Sequence, residues 1–159
     1  MSQDLRKLFF SHLLEIAKKD KNIVLFVGDL GYSFCEEFRK ELPGQFINCG
    51  IAEQNMVLAA AGLSLTGFKP YCYSGVIFMA MRPYEQIRNV CFNNLNVKFI
   101  GTGTSQFLGF SHNLQGTENI GDLFKHLPNI KYWEPKDEIE FNLAMHQENK
   151  INRPAFIKI

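Results

Sequence analysis

Residues Ile23-Val24-Leu25-Phe26-Val27 form an unbroken apolar run, bounded by Lys18-Lys19-Asp20-Lys21-Asn22 on one side and Gly28-Asp29-Leu30 on the other. A strand with one face in water alternates apolar and polar side chains. A run without alternation needs cover on both faces, as in the centre of a parallel sheet flanked by helices. The flanking sequence supplies that cover. Leu5, Leu8, Phe9, Leu13, Ile16 and Ala17 fall on one helical face, and the polar turn after them ends the helix. The pattern then predicts a short helix over 35–41, a strand at 46–48, a helix over 53–65, a strand over 70–73 and a helix over 82–92. It continues with a strand at 97–100, a helical segment at 123–126, an extended segment at 130–133, a helix over 137–147 and a closing strand at 155–159. Helices alternating with strands, without an internal repeat or linker, argue for one α/β domain over 1–159: three layers around a mostly parallel, doubly wound sheet. In such sheets ligands bind beyond the carboxyl ends of the strands, where Asp29, Glu53 and a Ser74-Gly75 turn fall.

Glu53 stands out among these. It opens the segment Met56-Val57-Leu58-Ala59-Ala60-Ala61-Gly62-Leu63-Ser64-Leu65, which has almost no polar side and is expected to be buried on nearly all faces. A carboxylate ahead of such a helix has little water around it. Burial of that kind favours the neutral form, which suits a group that exchanges a proton with a ligand. The local pattern equally allows a plainer role, an acid in the first helical turn favoured by the helix dipole.

Three motifs in one order carry a resemblance: Gly50-Ile51-Ala52-Glu53-Gln54-Asn55-Met56, Gly67-Phe68-Lys69-Pro70-Tyr71 and Met81-Arg82-Pro83-Tyr84-Glu85-Gln86-Ile87-Arg88-Asn89. With the opening helix, Gly28-Asp29-Leu30, Leu127-Pro128-Asn129 and Glu134-Pro135, the chain resembles the pyrimidine-binding domain of the transketolase family along essentially its whole length. The resemblance implies the thiamine diphosphate-binding fold, with Glu53 as the glutamate that hydrogen-bonds the cofactor's aminopyrimidine. A carboxylate there drives the pyrimidine toward its imino form, whose nitrogen takes the thiazolium proton.

The resemblance carries further residues. Counting eight residues on from Pro70 reaches Phe78, the position of the aromatic that packs on the pyrimidine ring; a core Phe beside Ile77 and Met79 reads equally well. Gly75 stands where transketolases often carry a further Phe, and Met81 where they often carry Tyr, so the pocket is expected to be looser or to be filled by Met81. Asp29 and Ser33 match an Asp-Leu-x-x-Ser pattern at the substrate channel, Asp29 on the cofactor side and Ser33 toward a sugar phosphate. Read locally, Ser33 instead caps the helix beginning near Phe34, and Asp29 bonds the adjacent turn. The stretch 101–119 corresponds to the family's long active-site loop. It has Glu118 in place of the usual histidine, with His112 as an alternative imidazole or a solvated side chain.

Composition narrows the alternatives. Hydrophobic residues make up 46% and charged residues 21%, which excludes a disordered tail. A net charge of +1 with scattered Lys and Arg gives no case for nucleic acid. Fifteen Phe are many for this length, most suited to the core and some to a partner face. Cys35, Cys49, Cys72 and Cys91 form no Cys-x-x-Cys pair and read as buried, reduced thiols of a cytoplasmic protein. No apolar run approaches the roughly 20 residues of a membrane span.

The resemblance therefore implies the pyrimidine-binding subunit of a split, transketolase-like transferase that moves a two-carbon ketol unit between sugar-like substrates. The chain has no Gly-Asp-Gly followed later by Asn, so a partner chain is expected to hold the diphosphate and Mg²⁺ in a homo- or hetero-oligomer. Another thiamine-dependent carboligase or decarboxylase subunit, or a catalytically silent structural subunit, remains open.

Overall fold

The apolar run 23–27 lies in the middle of a six-stranded sheet, as its lack of alternation requires. The computed structural model describes residues 4–103 and 119–159. The strands are β1 (Ile23–Val27), β2 (Phe46–Asn48), β3 (Lys69–Gly75), β4 (Lys98–Thr102), β5 (Lys131–Trp133) and β6 (Ala155–Lys158). Their order is β2-β1-β3-β4-β6-β5, and every pairing is parallel rather than mostly parallel. The helices are α1 (Leu5–Ala17), α2 (Glu36–Glu41), α3 (Glu53–Leu65), α4 (Val76–Met81), α5 (Tyr84–Phe92) and α6 (Glu138–Lys150).

Strand periodicity sorts the core into two halves. Ile23, Leu25 and Val27 of β1 join Tyr71 and Tyr73 of β3 beneath α1, α2 and α6. Val24 and Phe26 join Cys72 and Phe99 beneath α3, α4 and α5. Phe9, Phe26, Phe38, Phe99, Phe141 and Phe156 are fully buried, whereas Phe92 is exposed.

Three sequence expectations are corrected. Ser74 and Gly75 are not a turn: they end β3, paired with Gly101 and Thr102. Residues 76–81 form the helix α4, and the helix expected over 82–92 begins only at Tyr84. Val76–Met81 is uniformly apolar, so periodicity gave no way to tell a short buried helix from a buried strand. The segment at 123–126 is a 3₁₀ turn over Ile120–Phe124, started by the Asn119 side chain accepting from the Gly121 N–H.

A buried ionic cluster ties β4, β5 and α6 together. Glu148 accepts from Trp133 Nε1 at 2.9 Å and from Arg153 at 2.6 Å and 3.1 Å. Lys98 lies 3.7 Å from Glu148 and donates to the carbonyls of Ile151 and Arg153. Burial outweighs the nearby carboxylate and pulls the Lys98 ammonium down to about 8. Unfolded Lys98 keeps its proton up to the usual 10.5, so between about pH 8 and that value the unfolded chain binds more protons than the folded one. Stability from this group therefore rises with pH across that window, by at most about 1.4 kcal/mol per pH unit. Urea denaturation of wild type and Lys98→Met at several pH values should show that extra slope only in the wild type; parallel profiles would mean that Lys98 titrates alike in both states.

Candidate active site

The strand order reverses around β1: β2 lies on one side and β3 on the other, so the carboxyl ends of β1 and β3 form the switch point where a crevice opens. Gly28, just past β1, donates its N–H to the Tyr73 carbonyl at 2.9 Å. A Cβ at Gly28 would lie 3.1 Å from Ser74 Oγ and 3.6 Å from Glu53 Oε1, so a side chain there would press on the Ser74 hydroxyl where the three segments meet. Gly101 does the same for the next layer, since a Cβ there would come within 3.0 Å of the Val76 Cα. The start of α4 thereby sits directly on β4.

Glu53 enters this crevice from the N-terminus of α3. The chain turns tightly before it, with Gly50 at φ +66° and the Ala52 N–H donating to the Gly50 carbonyl. Ala52 precedes the helix and provides no side-chain cap. Glu53 is 2% exposed. Its Oε1 accepts from Ser74 Oγ at 3.0 Å, and Arg82 Nη1 donates to both carboxylate oxygens at 3.0 Å. The Arg82 guanidinium also lies 3.9 Å from the centre of the Phe78 ring. Glu53 thus has little water around it, as its sequence setting implied, and an ion pair with Arg82 offsets the burial.

Arg82 stands within the third of the ordered motifs, where the sequence alone assigns it no role. The available signal was its spacing. Gly75, Phe78 and Arg82 share one face of α4 and its C-terminal end, and Pro83, without an N–H, interrupts the helical ladder after it. Gln54 Nε2 donates to the Arg82 carbonyl at 3.1 Å, so the Arg82 backbone is tied to α3. Ile51, Ala52, Glu53, Gln54, Asn55 and Arg82 line an open cleft of about 480 Å³.

The remaining candidates are distributed differently. Met81 is 46% exposed and does not line the Glu53 cleft; Arg82, not Met81, occupies the space between Glu53 and Phe78. Gly75 precedes α4 and Phe78 is half-buried on it. Asp29 sits in a left-handed turn at φ +54° and accepts from Tyr32 Oη at 2.6 Å and Asn48 Nδ2 at 3.1 Å. Those two bonds hold its carboxyl below the usual range. Asn48 Oδ1 in turn accepts from the Gly50 N–H at 2.9 Å, so Asp29 buttresses the turn that presents Glu53. Ser33 does not cap α2: its N–H donates to the Glu36 carboxylate at 2.7 Å, and Cys35 precedes the helix. It lines a separate cleft of about 410 Å³ with Lys7, Phe10 and Glu37. His112 and Glu118 lie outside the described residues, as does most of the loop over 101–119.

α3 is not buried on nearly all faces. Glu53, Met56, Val57 and Ala60 face inward, while Ile51, just before the helix, and Leu58, Ala59, Gly62 and Leu65 on it are exposed. The apolar pattern was legible, but one layer of this chain covers only half of it. Among the described residues, no helix is long and apolar enough to cross a membrane.

The family model for the transketolase pyrimidine binding domain matches residues 1–158. The chain belongs to that family. It is 31% identical over 160 residues to the 6-deoxy-6-sulfo-D-fructose transketolase subunit SqwH of Clostridium sp. (strain MSTE9), covering 98% of this chain and 49% of the relative. It is 33% identical over 160 residues to the putative transketolase C-terminal section of Methanocaldococcus jannaschii, covering 98% and 50%. A solved split gene transketolase, described as an inactive beta4 tetramer, superposes with a TM-score of 0.83 at 33% identity, covering 96% of this chain and 49% of that one. The transketolase-family chain described here thus spans about half the length of these relatives.

Ser74 is fully buried, and its hydroxyl bonds a charged acceptor. Removing it with Ser74→Ala leaves Arg82 as the donor to Oε1 and should cost about 1–2 kcal/mol. Chemical denaturation would measure this, and a change within about 0.5 kcal/mol, the range of surface substitutions, would show the contact to be dispensable for folding.

Proposed function

We propose that this chain is the pyrimidine-binding subunit or section of a split transketolase-like enzyme, a thiamine diphosphate-dependent transferase that moves a two-carbon ketol unit between sugar-like substrates. The observation that carries this reading is Glu53, a buried carboxylate at the sheet's switch point that faces an open cleft. The residues present suit the cofactor's pyrimidine. A flat, N–H-donating cation already rests on Phe78 and on both Glu53 oxygens, and an aminopyrimidine offers the same ring face and polar edge.

Thiamine diphosphate, when bound, supplies a thiazolium carbon that becomes nucleophilic on losing its proton. Glu53 would hold and release a proton at a ring nitrogen of the pyrimidine, acting as the acid–base group. Ser74 fixes one Glu53 oxygen and so sets the carboxylate's orientation. Phe78 would carry the ring face, with Gly75 at the start of its helix leaving room and Met81 at the margin. Asp29 holds the Asn48–Gly50 turn in place. Nothing in the sequence provides the Gly-Asp-Gly and Asn that would hold diphosphate and Mg²⁺, so that half falls to a diphosphate-binding partner. The names of the relatives support the division: one is a transketolase subunit, another a C-terminal section, and the solved neighbour a split gene transketolase. Free thiols at Cys35, Cys49, Cys72 and Cys91 suit a reducing, cytoplasmic compartment.

The exposed apolar stripe of Ile51, Leu58 and Leu65 beside the cleft is the face this partner would cover. Leu58→Asp should leave the fold intact, because Leu58 points to solvent, yet weaken assembly with the partner at least about tenfold. Analytical ultracentrifugation would test this; unchanged assembly would move the interface elsewhere.

In the reconstituted enzyme, Glu53→Gln should lower turnover at least about 100-fold while the thermal midpoint changes little, because an amide cannot exchange the proton. Near-normal turnover would favour the silent-subunit reading.

A further inference from the structure

Arg82 makes the two contacts that the reading above assigns to a pyrimidine ring, one with Glu53 and one with Phe78. Its Nη1 reaches both oxygens of Glu53 at 3.0 Å, and its guanidinium plane lies 3.9 Å from the Phe78 ring centre. A guanidinium is flat, delocalised, cationic and an N–H donor that stacks on aromatic faces. A protonated aminopyrimidine shares each of those properties. The two groups are therefore competitors for one place, and both cannot bond Glu53 along the same edge while covering the same face of Phe78.

We propose that Arg82 is a built-in occupant of the pyrimidine site, bonding Glu53 and covering Phe78 until the cofactor's ring displaces it, and that it thereby sets the affinity for thiamine diphosphate. This rests on the reading of Glu53 and Phe78 given above.

Two further features fit a side chain that moves while its backbone stays. The Arg82 backbone is anchored at both ends: its N–H donates to the Phe78 carbonyl at 3.2 Å, and its carbonyl accepts from Gln54. Its side chain, by contrast, is 36% exposed and lines the open side of the cleft, whereas that of Glu53 is 2% exposed. The guanidinium can therefore swing into water while Ser74 Oγ stays on Oε1 of Glu53. A carboxylate buried to this degree with no cation nearby is costly. Arg82 thus allows half a site to fold with Glu53 already in its working position. The ring that displaces it restores a donor to Glu53 and an aromatic contact to Phe78, so both residues are partnered before and after the exchange.

The consequence is a lowered apparent affinity. Only molecules with Arg82 withdrawn accept the ring, and the measured dissociation constant is raised by the inverse of that fraction. In the assembled complex with its diphosphate-binding partner, Arg82→Met should bind thiamine diphosphate roughly tenfold more tightly than wild type. Arg82→Lys keeps the charge but loses the flat stacking surface and should fall between the two. Calorimetry at saturating Mg²⁺ gives the constants. Equal or weaker binding by Arg82→Met, with wild-type binding still lost in Glu53→Gln, would overturn the proposal alone. Binding that is indifferent to Glu53, or absent from every variant, would overturn the underlying reading and the proposal together. A second measurement needs no variant: crystal structures of the wild-type complex without and with thiamine diphosphate. Arg82 should be on Glu53 in the first and off it in the second, and an Arg82–Glu53 pair that persists beside a bound pyrimidine would refute displacement.

Discussion

The carboxylate of Glu53 and its three hydrogen bonds organise this half of the molecule. For Ser74 Oγ to reach Oε1, β3 must run one residue past Tyr73, and Gly28 keeps a side chain from pressing on the Ser74 hydroxyl. For Arg82 to reach both oxygens, α4 must start immediately at the end of β3, and Gly101 must let it settle on β4. For Glu53 itself to point inward, the turn at Gly50 must bring α3 back over the sheet, a geometry held by Asn48 and Asp29. A single buried charge thus places demands on four strands or helices and on three glycines. Any of them failing leaves an ionised group in the core without sufficient partners, a large cost for a domain of this size.

The molecule contains a second buried carboxylate with a different character. Glu148 is bonded by Trp133 and Arg153 and lies near Lys98, and Lys98 is itself satisfied by two main-chain carbonyls. That cluster closes on itself and fastens the end of α6 to the sheet edge. The arginines of the two clusters are similarly exposed, Arg82 at 36% and Arg153 at 29%, but Arg82 also rests on an aromatic ring and borders a cleft of about 480 Å³. Both are buried ion pairs at similar distances. The cleft and the aromatic platform set the Glu53 cluster apart, and the proposed function rests on them.

The same asymmetry appears in the packing. The core on the α1, α2 and α6 side buries the aromatic residues of α1 and β3 completely. On the other side α3 contributes inward Met56, Val57 and Ala60 but carries Leu58 and Leu65 outward. A stripe of this kind beside the cleft is what a surface looks like when its cover comes from another chain. The stripe and the Glu53 cleft both lie along α3 and its N-terminus, which suits the proposed role as one subunit of a larger enzyme.

The sequence by itself determined the layered α/β architecture, because helix- and strand-patterned segments alternate around the unbroken apolar run at 23–27, and it determined the family through three ordered motifs. It also singled out Glu53, whose position ahead of an apolar helix is a local property. The bounds of α4 were not legible, since a uniformly apolar hexapeptide carries no period, nor was the exposed face of α3, since apolarity does not say which chain will provide the cover. Arg82 was hidden for a different reason. It stands 29 residues from Glu53, and the contact exists only because β3, α4 and the N-terminus of α3 converge at the switch point. Sequence spacing encodes neighbours along one element; which charges meet across elements is decided by the sheet order, and only the tertiary structure supplies that.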